Sequence, residues 1–436
     1  MTDLKQTALE IARETLAAID IPATLRRKLA RSDSRIRVNN ADLDLAAFQR
    51  IFVISIGKAS VAMARGITET LSPDFPASGI IVAPALDGSA PPGFRAMIAG
   101  HPLPDEGSFA AGRAILDLLA TTGEHDLVFF LLSGGGSAMV EQPLDPRVTL
   151  REVQELNRTL VTCGASIDEI NAVRKHLSAV KGGRLAVAAA AMKVTLGVTD
   201  VPEGQESALA SGPTLPDPTT VRDACAVVGR YGLLAKLPTP FRLRFENPET
   251  IPETPKAANP AFARAKFQIV LGRHDLFHPA HRAAEAAEFV TMCDNTTDNW
   301  PVAKATDFLL EQLAALKRAN PGKSVAVIAD GEVSSPVTGN GVGGRNLAFV
   351  LDCVPKIAGR QIAVLSVGTD GIDGSSPAAG GVADGKTLAR ALAQGLDPAD
   401  YFRRSDSYTF FQKLGDAVTT GPTGNNLRDL RILLAD

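Results

Sequence analysis

Short apolar runs that alternate with helical patterns predict an α/β protein built on parallel sheet and divided into two domains. Most of the runs are apolar throughout rather than at every second residue, as strands covered by helices on both faces should be. At 436 residues the chain exceeds what one hydrophobic core usually supports. Six prolines between Pro238 and Pro260, with little apolar periodicity, mark an irregular excursion. The expected division therefore falls near residue 255, giving domains 1–255 and 256–436.

In chain order, Leu4, Leu9 and Leu16 among Lys5, Glu10 and Glu14 predict an amphipathic surface helix rather than a signal peptide. A buried strand, Ile51 to Ile56, runs into Gly57-Lys58 and a helix opening at Ala59 or Ser60. Further strands are expected at Ile80 to Ala83, Leu127 to Leu132, Val194 to Val198, Gln268 to Leu271, Ser324 to Ala329 and Gln361 to Val367. Ser166 and Glu169 form a capping-box pattern at a helix start. Ligand loops in such folds lie at the carboxyl ends of the strands.

A net charge of −3 offers no basic face for a nucleic-acid backbone. No apolar run reaches the roughly 18 residues of a membrane span. Neither nucleic acid nor membrane is an expected partner, and a soluble, cytoplasmic protein is predicted. Cys163, Cys225, Cys293 and Cys353 show no metal-clip or redox spacing and read as small buried hydrophobes.

Three glycine-rich loops carry the chemistry: Ser133-Gly134-Gly135-Gly136-Ser137-Ala138, Gly339 to Asn346, and Gly368-Thr369-Asp370-Gly371-Ile372-Asp373-Gly374. Glycines let successive amides converge on an oxyanion, so together the loops suggest a site for a polyphosphate and its metal ion. Lys58, past a strand, can meet a phosphate or carboxylate as a point charge, although its surroundings lack the Walker A spacing. Asp200 and Asp370 also lie just past strands. Carboxylates there suit Mg2+, or one could take a substrate proton, or they could serve local Asx turns. The run Arg174-Lys175-His176 with Lys181 and Arg184 could line a phosphate site, but its charge pattern alone favours a solvated helix face.

Gly339, Gly341 and Gly344 match the dinucleotide pattern G-x-G-x-x-G, but Pro336 interrupts the strand that should precede them, and no acidic residue ends a second strand at the required distance. Arg345 at the loop's exit is better suited to a bidentate clamp on a phosphoryl group or carboxylate. His274, His278 and His281 share a helical spacing, but Pro279 and the absence of a familiar zinc motif favour a polar helix entrance over a metal site.

These residues, with His101-Pro102-Leu103-Pro104-Asp105, Asn171 to Ser178, Thr199-Asp200-Val201-Pro202, Ser211-Gly212-Pro213-Thr214, Gly343-Gly344-Arg345-Asn346 and Gly421 to Leu427, resemble the MOFRL-type, or class II, glycerate 2-kinases over nearly the whole chain. The segment Asp330-Gly331-Glu332-Val333-Ser334 departs from the family's Gly-Gly-Glu-Thr-Thr-type run. The resemblance implies a Rossmann-like N-terminal domain, a MOFRL-type C-terminal domain and an active site in the cleft between them. It implies transfer of phosphate from ATP to the 2-hydroxyl of D-glycerate, giving 2-phosphoglycerate. Lys58 and Arg345 match the residues most firmly tied to activity, and Asp200 and Asp370 match acidic positions of the same cleft. The resulting expectation makes Lys58, Arg345 and Asp200 catalytic. Ser133, Gly134, Gly135, Gly136, Ser137, Gly343 and Gly344 bind the nucleotide, Asp200 and Asp370 hold Mg2+, and a homodimer is one expected assembly. The competing expectations are an NAD(P)H-dependent hydroxypyruvate reductase, with His101 or His176 as proton donor, and a non-catalytic binder of sugar acids or nucleotides.

Overall fold

The computed structural model describes residues 3–86, 90–199, 201, 204–272, 274–424 and 427–436. They fall into two compact units, residues 21–271 and residues 1–20 with 272–436.

The first unit opens with the helix Ile21–Leu29 and a hairpin of β1 (Arg35–Val38) and β2 (Ala41–Asp44). Its sheet contains β3 (Arg50–Ile56), β4 (Ala77–Ala83), β5 (Phe94–Ile98), β6 (Asp126–Leu132), β7 (Met192–Val198) and β8 (Ala265–Leu271). All six are parallel, in the order β5-β4-β3-β6-β7-β8. The chain steps outward in one direction from β3 and in the other from β6. The carboxyl ends of those two strands, where Ile56 pairs with Leu132, therefore form the switch point at which open α/β sheets bind ligands. All of β6 is buried, with Phe130 packing against Ile115 and Leu119 of the helix Glu106–Ala120. The boundary expected near residue 255 lies inside this unit. Beyond the proline-rich stretch, β8 pairs with β7 from Lys193–Ala265 onward and completes the sheet.

The second unit contains β9 (Val290–Asp294), β10 (Val325–Asp330), β11 (Ile362–Gly368), β12 (Gly380–Asp384), β13 (Ala417–Val418) and β14 (Asp429–Ala435). Their order is β13-β12-β11-β14-β10-β9, and only β9 and β10 run parallel. The parallel sheet expected of the N-terminal domain is found there, and in this second sheet β14 runs antiparallel between β10 and β11, and β12 antiparallel beside β11. The amino end of β14 thus stands at the carboxyl ends of its neighbours, Leu430 opposite Asp330 and Asp429 opposite Gly368.

The N-terminal helix Leu4–Ala18, capped by the Asp3 side chain, belongs to this unit and packs on β11, β12 and β14. It buries Leu4, Ala8, Ile11, Ala12 and Thr15 along one stripe, while Lys5 pairs with Asp416. No helix among the described residues is long and apolar enough to cross a membrane.

Because Ile11 is almost wholly buried, Ile11→Ala should cost about 2–4 kcal/mol in urea unfolding. Hydrogen exchange should then accelerate in β11 and β14 while β3 and β6 keep their protection.

Candidate functional site

At the switch point of the first unit, the turns after β3 and β6 are locked together. Ser133 donates its amide to Ile56 O at 3.0 Å, and its Oγ accepts the Ala59 amide at 3.0 Å. The Lys58 amide donates to Gly134 O at 2.9 Å. Gly57 has φ +119°, and a Cβ there would come within 2.4 Å of Ser133 Oγ, so both conformation and space demand glycine. These contacts hold half-buried Lys58 beside the glycine loop, just before the helix Ser60–Leu71. Among the described residues the amides of Gly134 and Gly135 have no hydrogen-bond partner. Two adjacent unsatisfied donors next to an ammonium form an arrangement suited to phosphate oxygens.

His101 packs on the same loop, its Cδ2 within 2.9 Å of where a Gly135 Cβ would stand. Desolvation and the Lys58 charge lower its pKa and so favour the neutral ring. The rest of the His101-to-Asp105 motif has a structural role, since Asp105 and Ser108 form the capping box of Glu106–Ala120. Ser137 Oγ lies 2.7 Å from Ser211 Oγ, which donates to Asn171 Oδ1 at 2.9 Å. Through this chain the glycine loop reaches the helix Ile167–Leu177, which starts at the expected capping box of Ser166 and Glu169.

The solvated-face reading of the basic run is overturned. Lys175, His176 and Lys181 are buried, and Arg174 and Arg184 half-buried. Lys175 pairs with Asp217 at 3.2 Å and Lys181 with Glu141 at 2.6 Å. His176 Nδ1 lies 2.7 Å from Ala172 O. Desolvation lowers the Lys181 pKa, and the Glu141 charge opposes that shift. Sequence reasoning missed Glu141 and Asp217, since neither lies in a motif that marks an acid for burial.

In the second unit Arg345 opens the helix Arg345–Lys356. Its Nε and one terminal nitrogen donate to the two oxygens of Asp429 at 2.6 and 3.1 Å. Both terminal nitrogens donate to Glu332 at 2.9 and 2.7 Å. Burial alone would lower its pKa, but Asp429 and Glu332 more than offset this and raise it. Asp429 is 2% exposed and Glu332 42%. Beneath them fully buried Arg431 donates to Asp330 O and Gly331 O and lies 3.6 Å from Asp429. Asp373 accepts the amides of Asn346 and Leu347 at 3.0 and 2.8 Å, capping the same helix. Desolvation, aided by the Asp429 charge, raises the Asp373 pKa from 3.8 to about 6 against those hydrogen bonds.

The 339–344 glycines have a packing reason. A Cβ on Gly339 would come within 2.4 Å of Arg404 O, and one on Gly344 within 2.4 Å of Asp373. The amides of Gly341, Val342 and Gly343 are taken by Arg404 O, Asp406 Oδ1 and Ser375 Oγ. Asp370 follows β11 and accepts the Ile372 amide at 3.1 Å, the Asx-type contact its sequence allows. Asp200 lies outside the described residues. Among the described residues no three His, Cys, Asp or Glu side chains are grouped to hold a metal. His281 contacts Cys293 at 3.6 Å and Glu285 at 3.2 Å. Cys293 is exposed, contrary to its reading as a buried hydrophobe, because it lies on the edge strand β9.

Residues 7–246 match the model described as "Domain of unknown function (DUF4147)", and residues 325–429 match the MOFRL family. The D-glycerate 2-kinase of Thermotoga maritima is 34% identical over 98% of both chains. A protein of Agrobacterium vitis, 37% identical over 93% of this chain and 92% of its own, carries a provisional hydroxypyruvate reductase name. The crystal structure of glycerate kinase from Thermotoga maritima superposes with a TM-score of 0.86 at 33% identity, covering 99% of both chains.

Two measurements check the electrostatics. Lys181→Met should cost about 3–5 kcal/mol by leaving Glu141 charged and unpaired, and adding Glu141→Gln should recover part of that loss. Since folded Asp373 holds its proton to about pH 6 but the unfolded chain only to about 3.8, the residue's contribution to stability falls as pH rises through that window. The stability of wild type relative to Asp373→Asn should accordingly decline from pH 4 to pH 6 in urea titrations.

Proposed function

This chain belongs to the MOFRL-type glycerate 2-kinase family, and from that premise we propose that it transfers the γ-phosphoryl group of ATP to the 2-hydroxyl of D-glycerate, with Mg2+ as the metal. The observation that supports this reading most is the contrast between the two glycine loops. The 133–136 loop has two adjacent amides without partners among the described residues beside Lys58, whereas the G-x-G-x-x-G loop gives the amides of Gly341, Val342 and Gly343, and the space beside its glycines, to internal packing. Glycines pressed against Arg404, Asp406, Ser407 and Asp373, with the three central amides already taken, make a poor cradle for a dinucleotide pyrophosphate, which counts against the reductase.

Phosphoryl transfer depends mainly on positioning and charge stabilisation. In this reading Ser133, Gly134, Gly135, Gly136 and Ser137 hold nucleotide phosphates, and Lys58 neutralises charge that builds on the transferring group. Arg345, with Gly343 and Gly344 before it, supplies a second fixed positive charge. Asp200 and Asp370 have the hard oxygen chemistry that Mg2+ requires, and Asp200 could equally accept the 2-hydroxyl proton. Held by these carboxylates, Mg2+ would supply positive charge against that of the phosphate oxygens.

Purified protein should release ADP only when D-glycerate, ATP and Mg2+ are all present, with 2-phosphoglycerate as product and no oxidation of NADH or NADPH with hydroxypyruvate. Lys58→Ala and Arg345→Ala should each lower kcat/KM by about a hundredfold or more, roughly 2.7 kcal/mol or above. Values within about threefold of wild type would remove these residues from the mechanism.

A further inference from the structure

Among the described residues Arg174 and Arg184 are the members of the basic cluster without an ion pair, and of the two only Arg174 makes no side-chain hydrogen bond, since Arg184 donates to Pro252 O and Glu253 O. Arg174 lies on Ile167–Leu177 three residues after Asn171, and such spacing puts two side chains on one side of a helix. Asn171 is joined through Ser211 to Ser137 of the glycine loop, so Arg174 stands about one turn from that connection. Its Nε is buried with no hydrogen-bond partner among the described residues. The acid whose field reaches it is Glu141, and Glu141 is already committed to Lys181 Nζ and Ser178 Oγ, both at 2.6 Å. Two cations, Arg174 and Lys181, therefore share one carboxylate. A cavity of about 10 Å3 lies against Arg174, with Glu141, Asn157, Ser178 and Phe241 in its wall. Such a space admits about one oxygen atom.

We propose that Arg174 anchors the carboxylate of the hydroxy-acid substrate, an inference that rests on the kinase reading above. An unpaired guanidinium offers N–H donors to a carboxylate oxygen, one of which the space beside it can admit, and receiving that anion costs the site less than keeping a half-buried cation unmatched. Arg345 is a poorer candidate, since Asp429 and Glu332 already occupy its donors. Lys58 and the Gly134 and Gly135 amides suit phosphate, which leaves the carboxylate to Arg174. Burial lowers the Arg174 pKa, with Glu141 opposing, as a cation awaiting a counter-ion should show.

The test compares steady-state kinetics of wild type, Arg174→Gln and Arg174→Lys. In Arg174→Gln the KM for D-glycerate should rise about ten- to hundredfold, the KM for ATP should stay within about twofold, and the melting temperature should not fall. Arg174→Lys should lie between, and its preference for D-glycerate over uncharged D-glyceramide should drop. That ratio serves as the readout should Arg174→Gln fold poorly, because a purely structural role would leave it unchanged. A rise in the KM for ATP alone would assign the anion to a nucleotide phosphate and overturn the proposal, as would unchanged constants for both substrates. If wild type releases no ADP with glycerate, the kinase reading itself falls, whatever the variants do.

Discussion

A guanidinium taken out of water at the end of a sheet must be met by carboxylates held in place, and the second unit is arranged around one such meeting, that of Arg345 with Asp429. Asp429 is the first residue of β14, in register with Gly368 at the end of β11. Its position is therefore set by the antiparallel insertion of β14 between β10 and β11. Arg345 begins a helix whose next two amides are capped by Asp373, and the Asp429 charge in turn helps to hold Asp373 protonated. Strand, helix and the 368–374 loop are thus coupled through one ion pair. Removing either partner would strand a charge, the case in which a buried pair matters most.

The first unit solves a different problem with similar residues. Its glycines at the switch point bring two turns close enough for Ser133 to bind both, and Gly134 and Gly135 remain with amides to spare. In the second unit the glycines of 339–344 let the chain press against residues 404–407 and Asp373, and the amides of Gly341, Val342 and Gly343 are taken up locally. Glycine density alone does not separate these uses. What separates them is where the neighbouring donors go, which depends on residues distant in the chain, 32 positions away for Ser375, 64 for Asp406 and 74 for Ser133 and Ala59.

That dependence explains what could be read in advance. The strands β3 and β6 and the turn carrying Lys58 were legible because a continuous apolar run followed by glycine has few other outcomes. The direction of β14 was not, since Asp429 and Arg431 interrupt its apolar pattern and periodicity carries no information on strand direction. The basic run from Arg174 to Arg184 looked solvated because its counter-charges, Glu141 and Asp217, come from distant segments. The assignment of the N-terminal helix to the second unit was also hidden. An amphipathic stripe shows that a face is buried, not which sheet buries it.

The saturation of Arg345 bears on how it could serve phosphoryl transfer. Its two carboxylates are not equivalent: Asp429 is nearly inaccessible, whereas Glu332 is 42% exposed. A half-exposed ion pair contributes little, about 1 kcal/mol or less. If Arg345 serves the transfer proposed above, the Glu332 arm, rather than the Asp429 arm, would be the one to give way to a phosphoryl oxygen. Arg345 would be oriented by one acid and screened by the other until an anion arrives. An arginine of that kind stabilises charge that develops late. The unpaired Arg174 is instead suited to charge that is present from the start, as a substrate carboxylate is. In the proposed reading the two arginines would divide, by burial and pairing, the tasks of recognising an anion and stabilising one as it forms.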